Sequence, residues 1–231
     1  MSPRYAIYFS PAKHSAWWTF GAHWLGRDEH DNRTLSQPEA AGIAPAELQT
    51  ITAEPRRYGF HATLKAPFHL SDGHNEADLV ARLGRLAQAL SPVALGPLQL
   101  ATLGNFVALV PEAAPAGLHT LATACVAGLD DLRAPLSEAD LARRRSAGLD
   151  AREAELLALY GYPYVLERFR FHMTLTGPVD DAMAQRVRLA TAANLAALNA
   201  QAPLALDRLC LFVEHDSGAP FRRVIDLRLS A

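Results

Sequence analysis

One alternating pattern occurs twice in this chain and limits what it can build. In Phe169-Arg170-Phe171-His172-Met173-Thr174-Leu175-Thr176-Gly177, the residues Phe169, Phe171, Met173 and Leu175 fall on one face. Arg168, Arg170, His172, Thr174 and Thr176 fall on the other. Strict period two predicts a half-buried β-strand, because successive strand side chains point to opposite faces. The stretch Arg57-Tyr58-Gly59-Phe60-His61-Ala62-Thr63-Leu64-Lys65-Ala66-Pro67 has the same grammar, with Tyr58, Phe60, Ala62 and Leu64 apolar and Arg57, His61, Thr63 and Lys65 polar. Both copies read Phe-His-x-Thr-Leu and lie 111 residues apart. Matching flanks, matching alternation and matching following elements indicate an internal duplication.

The elements around each copy repeat in order. After the first comes a turn at Ser71-Asp72-Gly73. A helix over Glu76 to Leu90 follows, with Leu79, Leu83, Leu86 and Leu90 on one face. Strands are predicted at Val93 to Leu103 and Asn105 to Pro111, joined at Gly104-Asn105. After the second copy, Asp180 or Asp181 caps a helix to about Ala200. Strands at Leu204 to Glu214 and Phe221 to Leu229 complete it. Each half therefore reads strand, helix, strand, strand.

The opening segment supplies a strand over Arg4 to Ser10 and an aromatic helix over Ser15 to Leu25, which complement the second half. Gly26 to Ala44 reads as loop, and a short helix around Ala46 to Thr52 stops before Pro55. A helix over Pro115 to Gly128 complements the first half. The expected fold is α+β: a single bilobal domain over 1–231, with two antiparallel sheets related by a pseudo-twofold around a central cleft and helices outside. The His-x-Thr lobes span about 54–130 and 162–231, 1–53 completes them, and a helical insertion carrying Arg143, Arg144 and Arg145 covers about 137–160.

Two His-x-Thr pairs facing one cleft give two imidazoles and two hydroxyls in a small volume, His and Thr of a pair being roughly 6.6 Å apart along the strand. Imidazole titrates near neutrality, so one ring can be neutral and the other protonated, which permits a base and an acid in one turnover. At a phosphodiester, His61 and His172 would serve as base and acid in either order, and Thr63 and Thr174 would donate to the non-bridging oxygens. Arg57, Lys65, Arg168 and Arg170 would supply positive charge, and Thr176 and Tyr162 would complete the substrate contacts. Trp17 and Trp18 read as core or cleft wall and, with Tyr162 and Tyr164, are stacking candidates. No cofactor is expected. Nor is a metal, since no third ligand accompanies the two histidines. No Gly-rich phosphate loop occurs in the sequence.

The remaining bounds are broad. A net charge of −2 leaves no electrostatic footprint for long nucleic acid, so the expected partner is a small phosphorylated substrate, with short RNA a lesser alternative. Two cysteines, Cys125 and Cys210, are too few for a disulfide framework and read as reduced thiols. No apolar run reaches the roughly 20 residues that span a bilayer. Met1 to Ser10 lacks the apolar segment of a signal peptide, so a cytoplasmic location without membrane contact is expected.

The motifs His61-Ala62-Thr63 and His172-Met173-Thr174 resemble those of the 2H phosphoesterase superfamily. The resemblance implies a bilobal α+β protein acting without metal on cyclic phosphates or on RNA ends, with His61, Thr63, His172 and Thr174 as its catalytic set. The wider wording of both stretches is similar to a bacterial branch found with phosphonate-degradation genes. The function expected on this basis is hydrolysis of a small cyclic sugar or nucleotide phosphate. An RNA-end phosphodiesterase or 2′-5′ ligase, and a non-catalytic binder of a phosphorylated ligand, are the alternatives.

Overall fold

A computed structural model describes residues 2–145 and 148–231. Ser146, Ala147 and the side chains of Arg143 and Arg145, parts of the expected insertion and its arginine run, lie outside the described residues. In chain order the elements begin with β1 (Arg4–Phe9), α1 (Ala16–Leu25), the ribbon β2 (Arg27–Asp28) and β3 (Arg33–Thr34), α2 (Pro45–Ile51) and α3 (Ala53–Arg56). They continue with β4 (Ala62–Phe68), α4 (Glu76–Ala89), β5 (Val93–Ala94), β6 (Leu98–Leu103), β7 (Phe106–Pro111) and α5 (Leu118–Ala127). The rest are α6 (Glu138–Arg145), α7 (Ala151–Tyr160), β8 (Met173–Thr174), α8 (Asp181–Gln201), β9 (Ala205–Leu206), β10 (Arg208–Glu214) and β11 (Arg222–Arg228). The protein is α+β, with antiparallel sheets and helices. Among the described residues no helix is long and apolar enough to cross a membrane.

Local chemistry sets the helix starts. The Ser15 hydroxyl accepts from the Trp18 amide at the head of α1, Asn75 and Asp78 form a reciprocal capping box on α4, and Asp180 accepts from the Met183 amide on α8. Each satisfies amides that the first turn leaves without intrahelical partners. The apolar stripe of α4 lands as expected, with Leu79, Leu83 and Ala87 buried. Pro55 does not end the helical region. It sits in the first turn of α3, where its missing N–H and fixed φ are tolerated.

Two sheets carry the motifs. The larger has the order β11-β10-β1-β4 and the smaller β6-β7-β8, all neighbours antiparallel. Each motif strand is an edge strand, and each is bonded into a sheet built with the other half's hairpin. Through β1, β4 joins β10 and β11, whereas β8 joins β6 and β7. The helix α4 packs on β10 and β11, and α8 packs on β6 and β7. The two-residue strands β5 and β9, from corresponding places in the two halves, pair with each other at Val93↔Leu206 and Ala94↔Ala205.

Several expected boundaries are corrected. The strand predicted over 169–177 is only Met173–Thr174; Leu166–Arg168 is a 3-10 turn, and residues 169–172 after it belong to no ladder. Phe171, Met173 and Leu175 are nonetheless buried, so the alternation reports burial rather than strand pairing. The strands expected over 93–103 and 204–214 each split in two, the first at Gly96, whose φ of 67° favours glycine. The helix expected from Pro115 begins at Leu118, and the loop expected over 26–44 contains the β2–β3 ribbon.

Candidate functional site

The chain reaches β4 through a left-handed turn. Gly59 has φ +79°, and a Cβ there would lie 2.8 Å from the Cβ of Glu29, so only glycine fits without strain. The turn directs the Gly59 carbonyl at His61, whose Nδ1 lies 2.8 Å from it. In the second motif, His172 Nδ1 lies 2.9 Å from the carbonyl of Arg170, again two residues back. A carbonyl can only accept, so each ring donates from Nδ1 and its Nε2 is left as the second functional atom. Thr63 Oγ1 lies 3.4 Å from His61 Nε2. Tyr8 stacks on the His61 ring with centroids 3.9 Å apart and planes 26° apart, which restricts the ring further. Phe106 lies tilted beside His172, with ring centroids 5.9 Å apart.

One cavity of about 550 Å³ is lined by His61, Thr63, His172, Thr174, Thr176 and Tyr162 together. It brings the edge strands of the two sheets to the same space. Thr176 is fully buried, and its hydroxyl accepts from the Val107 amide at 3.0 Å, tying the cavity floor to β7. Burial holds His61 well below the usual histidine range, at about 4, and His172 nearby lowers it further. Burial also lowers His172, against the raising effect of the Arg170 carbonyl. With both held below the usual histidine range, the two imidazoles are neutral proton acceptors at pH 7, rather than one neutral and one protonated.

The four basic residues expected beside them lie elsewhere. Arg57 pairs with Glu214 and donates to the Ala219 carbonyl. Lys65 is buried, with Nζ 2.9 Å from Asp130 and 3.1 Å from the Val126 carbonyl. The cause is a register shift: Tyr8 pairs with Thr63 but Ile7 with Lys65, so an extra residue in β4 breaks period two between the threonine and the lysine. Arg168 reaches Asp150 at 2.7 Å, and Arg170 is exposed and contributes its carbonyl to His172.

The tryptophans are core. Trp17 and Trp18 are buried and donate to the Ala202 carbonyl and to Glu29. Tyr162 and Tyr164 line the cavity instead, edge-on to each other. Arg4, Tyr8 and Phe106 also line it and were not singled out from sequence, and Tyr58, expected on the apolar core face, is half-buried and lines it too. Arg4 and Tyr8 had a signal, since period two in β1 places them on one face.

Comparison with known proteins gives two relatives, each named ribose 1,5-bisphosphate phosphokinase PhnN. The protein from Janthinobacterium sp. (strain Marseille) is 42% identical over 221 residues, covering 94% of this chain and 49% of the relative. That from Laribacter hongkongensis (strain HLHK9) is 41% identical over 219 residues, covering 95% of this chain and 50% of the relative. The chain thus spans about half the length of the curated relatives it matches. Both relatives are named as enzymes, and their name overturns the expected function. A phosphokinase transfers a phosphoryl group, whereas the sequence reading expected hydrolysis of a cyclic phosphodiester. Residues 63–222 match a family described as "Protein of unknown function (DUF1045)", more than half of the chain, and to that family this protein belongs.

Proposed function

We propose that the chain binds a phosphorylated ribose between its two His-x-Thr pairs and moves protons at that sugar in a phosphotransferase reaction. One observation carries the reading: both histidines donate from Nδ1 to a carbonyl two residues back while lining one cavity with both threonines. A neutral Nε2 takes the proton of a sugar hydroxyl as its oxygen attacks the terminal phosphorus of a phosphoanhydride donor. The anhydride P–O bond breaks, the rest of the donor leaves as an anion with that electron pair, and Thr63 and Thr174 donate to the non-bridging oxygens. Phosphorylated ribose is the ligand class named in both relatives. The sequence has no Gly-rich phosphate loop, so the reading is confined to the sugar-phosphate side of the transfer.

The halves 54–130 and 162–231 are read as copies of one 2H-phosphoesterase-like unit whose motif strands exchanged sheets, with 1–53 completing them and 137–160 inserted. The matching element orders and the pairing of β5 with β9 support this. The resemblance to the phosphonate-associated branch supports a role beside phosphonate breakdown, and the two free thiols support a reducing cytoplasm.

Calorimetric titration with ribose 5-phosphate tests the site. Binding at least tenfold tighter than for ribose, with a loss of tenfold or more in both His61→Ala and His172→Ala, is the expected result. Affinity unchanged in both variants, or no binding by the folded wild type, refutes it.

A further inference from the structure

A second cavity of about 810 Å³ lies beside the histidine cavity, and Arg4, Tyr58, Ala66, Pro67, Arg144 and Tyr162 line both. Its wall carries an excess of positive charge. Arg4 and Arg57 both pair with Glu214, a carboxylate only 1% exposed. Lys65 and Arg133 both pair with Asp130, at 2.9 and 3.0 Å. Arg144 also lines the wall, its guanidinium over the Tyr162 ring, and Asp140 is the remaining carboxylate there. Five cations thus meet Glu214, Asp140 and the flanking Asp130.

Two cations sharing one carboxylate hold each other in place and leave one charge uncompensated by the pair. In a concave, partly desolvated wall such an excess focuses a positive potential and attracts an anion. Guanidinium groups suit phosphate in particular, because their fork of N–H donors matches its oxygens. Neither acid needs its second cation to satisfy both oxygens: without Arg57, the buried Glu214 keeps Arg4 and the Gly218 amide, and without Lys65, the half-buried Asp130 keeps two bonds from Arg133.

We propose that this second cavity is a phosphate subsite and that the ligand of the two cavities together is a pentose carrying two phosphate groups. The bisphosphate part rests on the phosphosugar reading above; the anion site stands without it. One phosphate sits at the His-x-Thr pairs. The other crosses the shared wall at Arg4 to reach Arg57 and Lys65. The placement also gives Arg57 and Lys65, absent from the histidine cavity, a ligand of their own.

The doubled pairing makes the test clean. Arg57→Ala leaves Glu214 with Arg4, and Lys65→Met leaves Asp130 with Arg133, so neither variant strands a buried acid; thermal melts confirm folding, and either variant alone suffices. Inorganic pyrophosphate is titrated first. Its affinity should fall tenfold or more in each variant and stay within twofold in Arg85→Ala, which removes an exposed cation on α4 that lines neither cavity. Pyrophosphate that binds unchanged in Arg57→Ala and Lys65→Met, or not at all at low salt, overturns the subsite. Ribose 1,5-bisphosphate and ribose 5-phosphate follow. The bisphosphate should bind at least tenfold tighter, and Arg57→Ala should erase that gain. Equal affinity overturns the bridging ligand. Pyrophosphate binding without sugar binding overturns the phosphosugar reading and supports the anion subsite.

Discussion

Gly21 lies within α1 with its Cα against Phe60, the residue before His61, and replacing it with alanine sets two effects against each other. In an ordinary helix interior, Gly→Ala stabilises by roughly 0.5–1 kcal/mol because alanine has less backbone freedom to lose. Here the added Cβ would lie 2.0 Å from both Cγ and Cδ1 of the Phe60 ring and 2.5 Å from Cδ2. Ordinary carbon contacts are roughly 3.5–4.0 Å, so ring and helix must part by about 1.5 Å. Phe60 has no room to give: it is fully buried, lies edge-on to Phe20, and its carbonyl accepts from the Ser10 hydroxyl at 2.8 Å. Overpacking of this kind costs about 1–3 kcal/mol, which exceeds the helix gain.

The expected net loss is about 1–2 kcal/mol, or a fall in Tm of about 2–8 °C for a chain of this size. Gly84 in α4 is the control, because a Cβ there meets nothing within 4 Å. Gly84→Ala should therefore gain the propensity term alone, about 0.5–1 kcal/mol. Urea denaturation of both variants reads the difference directly. A stabilised Gly21→Ala protein, or equal shifts in the two, would refute the packing of α1 on the first motif.

Stability should rise with pH between about 4 and 6.5. Burial holds His30 and His61 at about 4, while in the unfolded chain they titrate near 6.5. Their contribution is complete above pH 6.5 and is lost as pH falls towards 4, at up to about 1.4 kcal/mol per pH unit for each group. Urea midpoints that stay flat across that window would contradict it. Arg223 is fully buried, 3.3 Å from the equally buried Glu29, and also bonds Asp226. Arg223→Met strands a buried acid and should cost about 3–5 kcal/mol, read by the same denaturation assay. A loss under 1 kcal/mol would show that the pair contributes little.

The sequence revealed those parts of the fold that chemistry fixes locally. Asp180 announced its helix because its side chain caps its own backbone, and the leucine stripe of Leu79 and Leu83 announced α4; the caps Ser15 and Asn75 became visible only in the structure. The Phe60, Ala62 and Leu64 face was legible because period two survives from Phe60 into the start of β4. Failures came where tertiary contacts decide. The second motif has a strand's alternation, but it pairs only at Leu109↔Met173 and Ala108↔Thr174; beyond them Leu175 and Thr176 both donate to the Val107 carbonyl. Lys65 left the histidine face because a register shift against β1 intervened, and nothing in its own neighbourhood encodes that. That β4 and β8 each lie in a sheet with a hairpin from the other part of the chain was equally hidden, because their direct pairing partners lie more than fifty residues away. The site itself was partly legible. His61, Thr63, His172 and Thr174 line one cavity, while the basic residues required the structure to place them.

The most direct measurement is an NMR pH titration of the His61 and His172 imidazoles, with and without ribose 5-phosphate. In the free protein both rings should be neutral at pH 7, protonated at Nδ1 and titrating below 6.5. Bound phosphate places negative charge against both Nε2 atoms, so both sets of signals should move and at least one pKa should rise above its free value. Unmoved imidazoles with the sugar phosphate bound, or a response confined to one ring, would contradict a phosphate held between the two pairs.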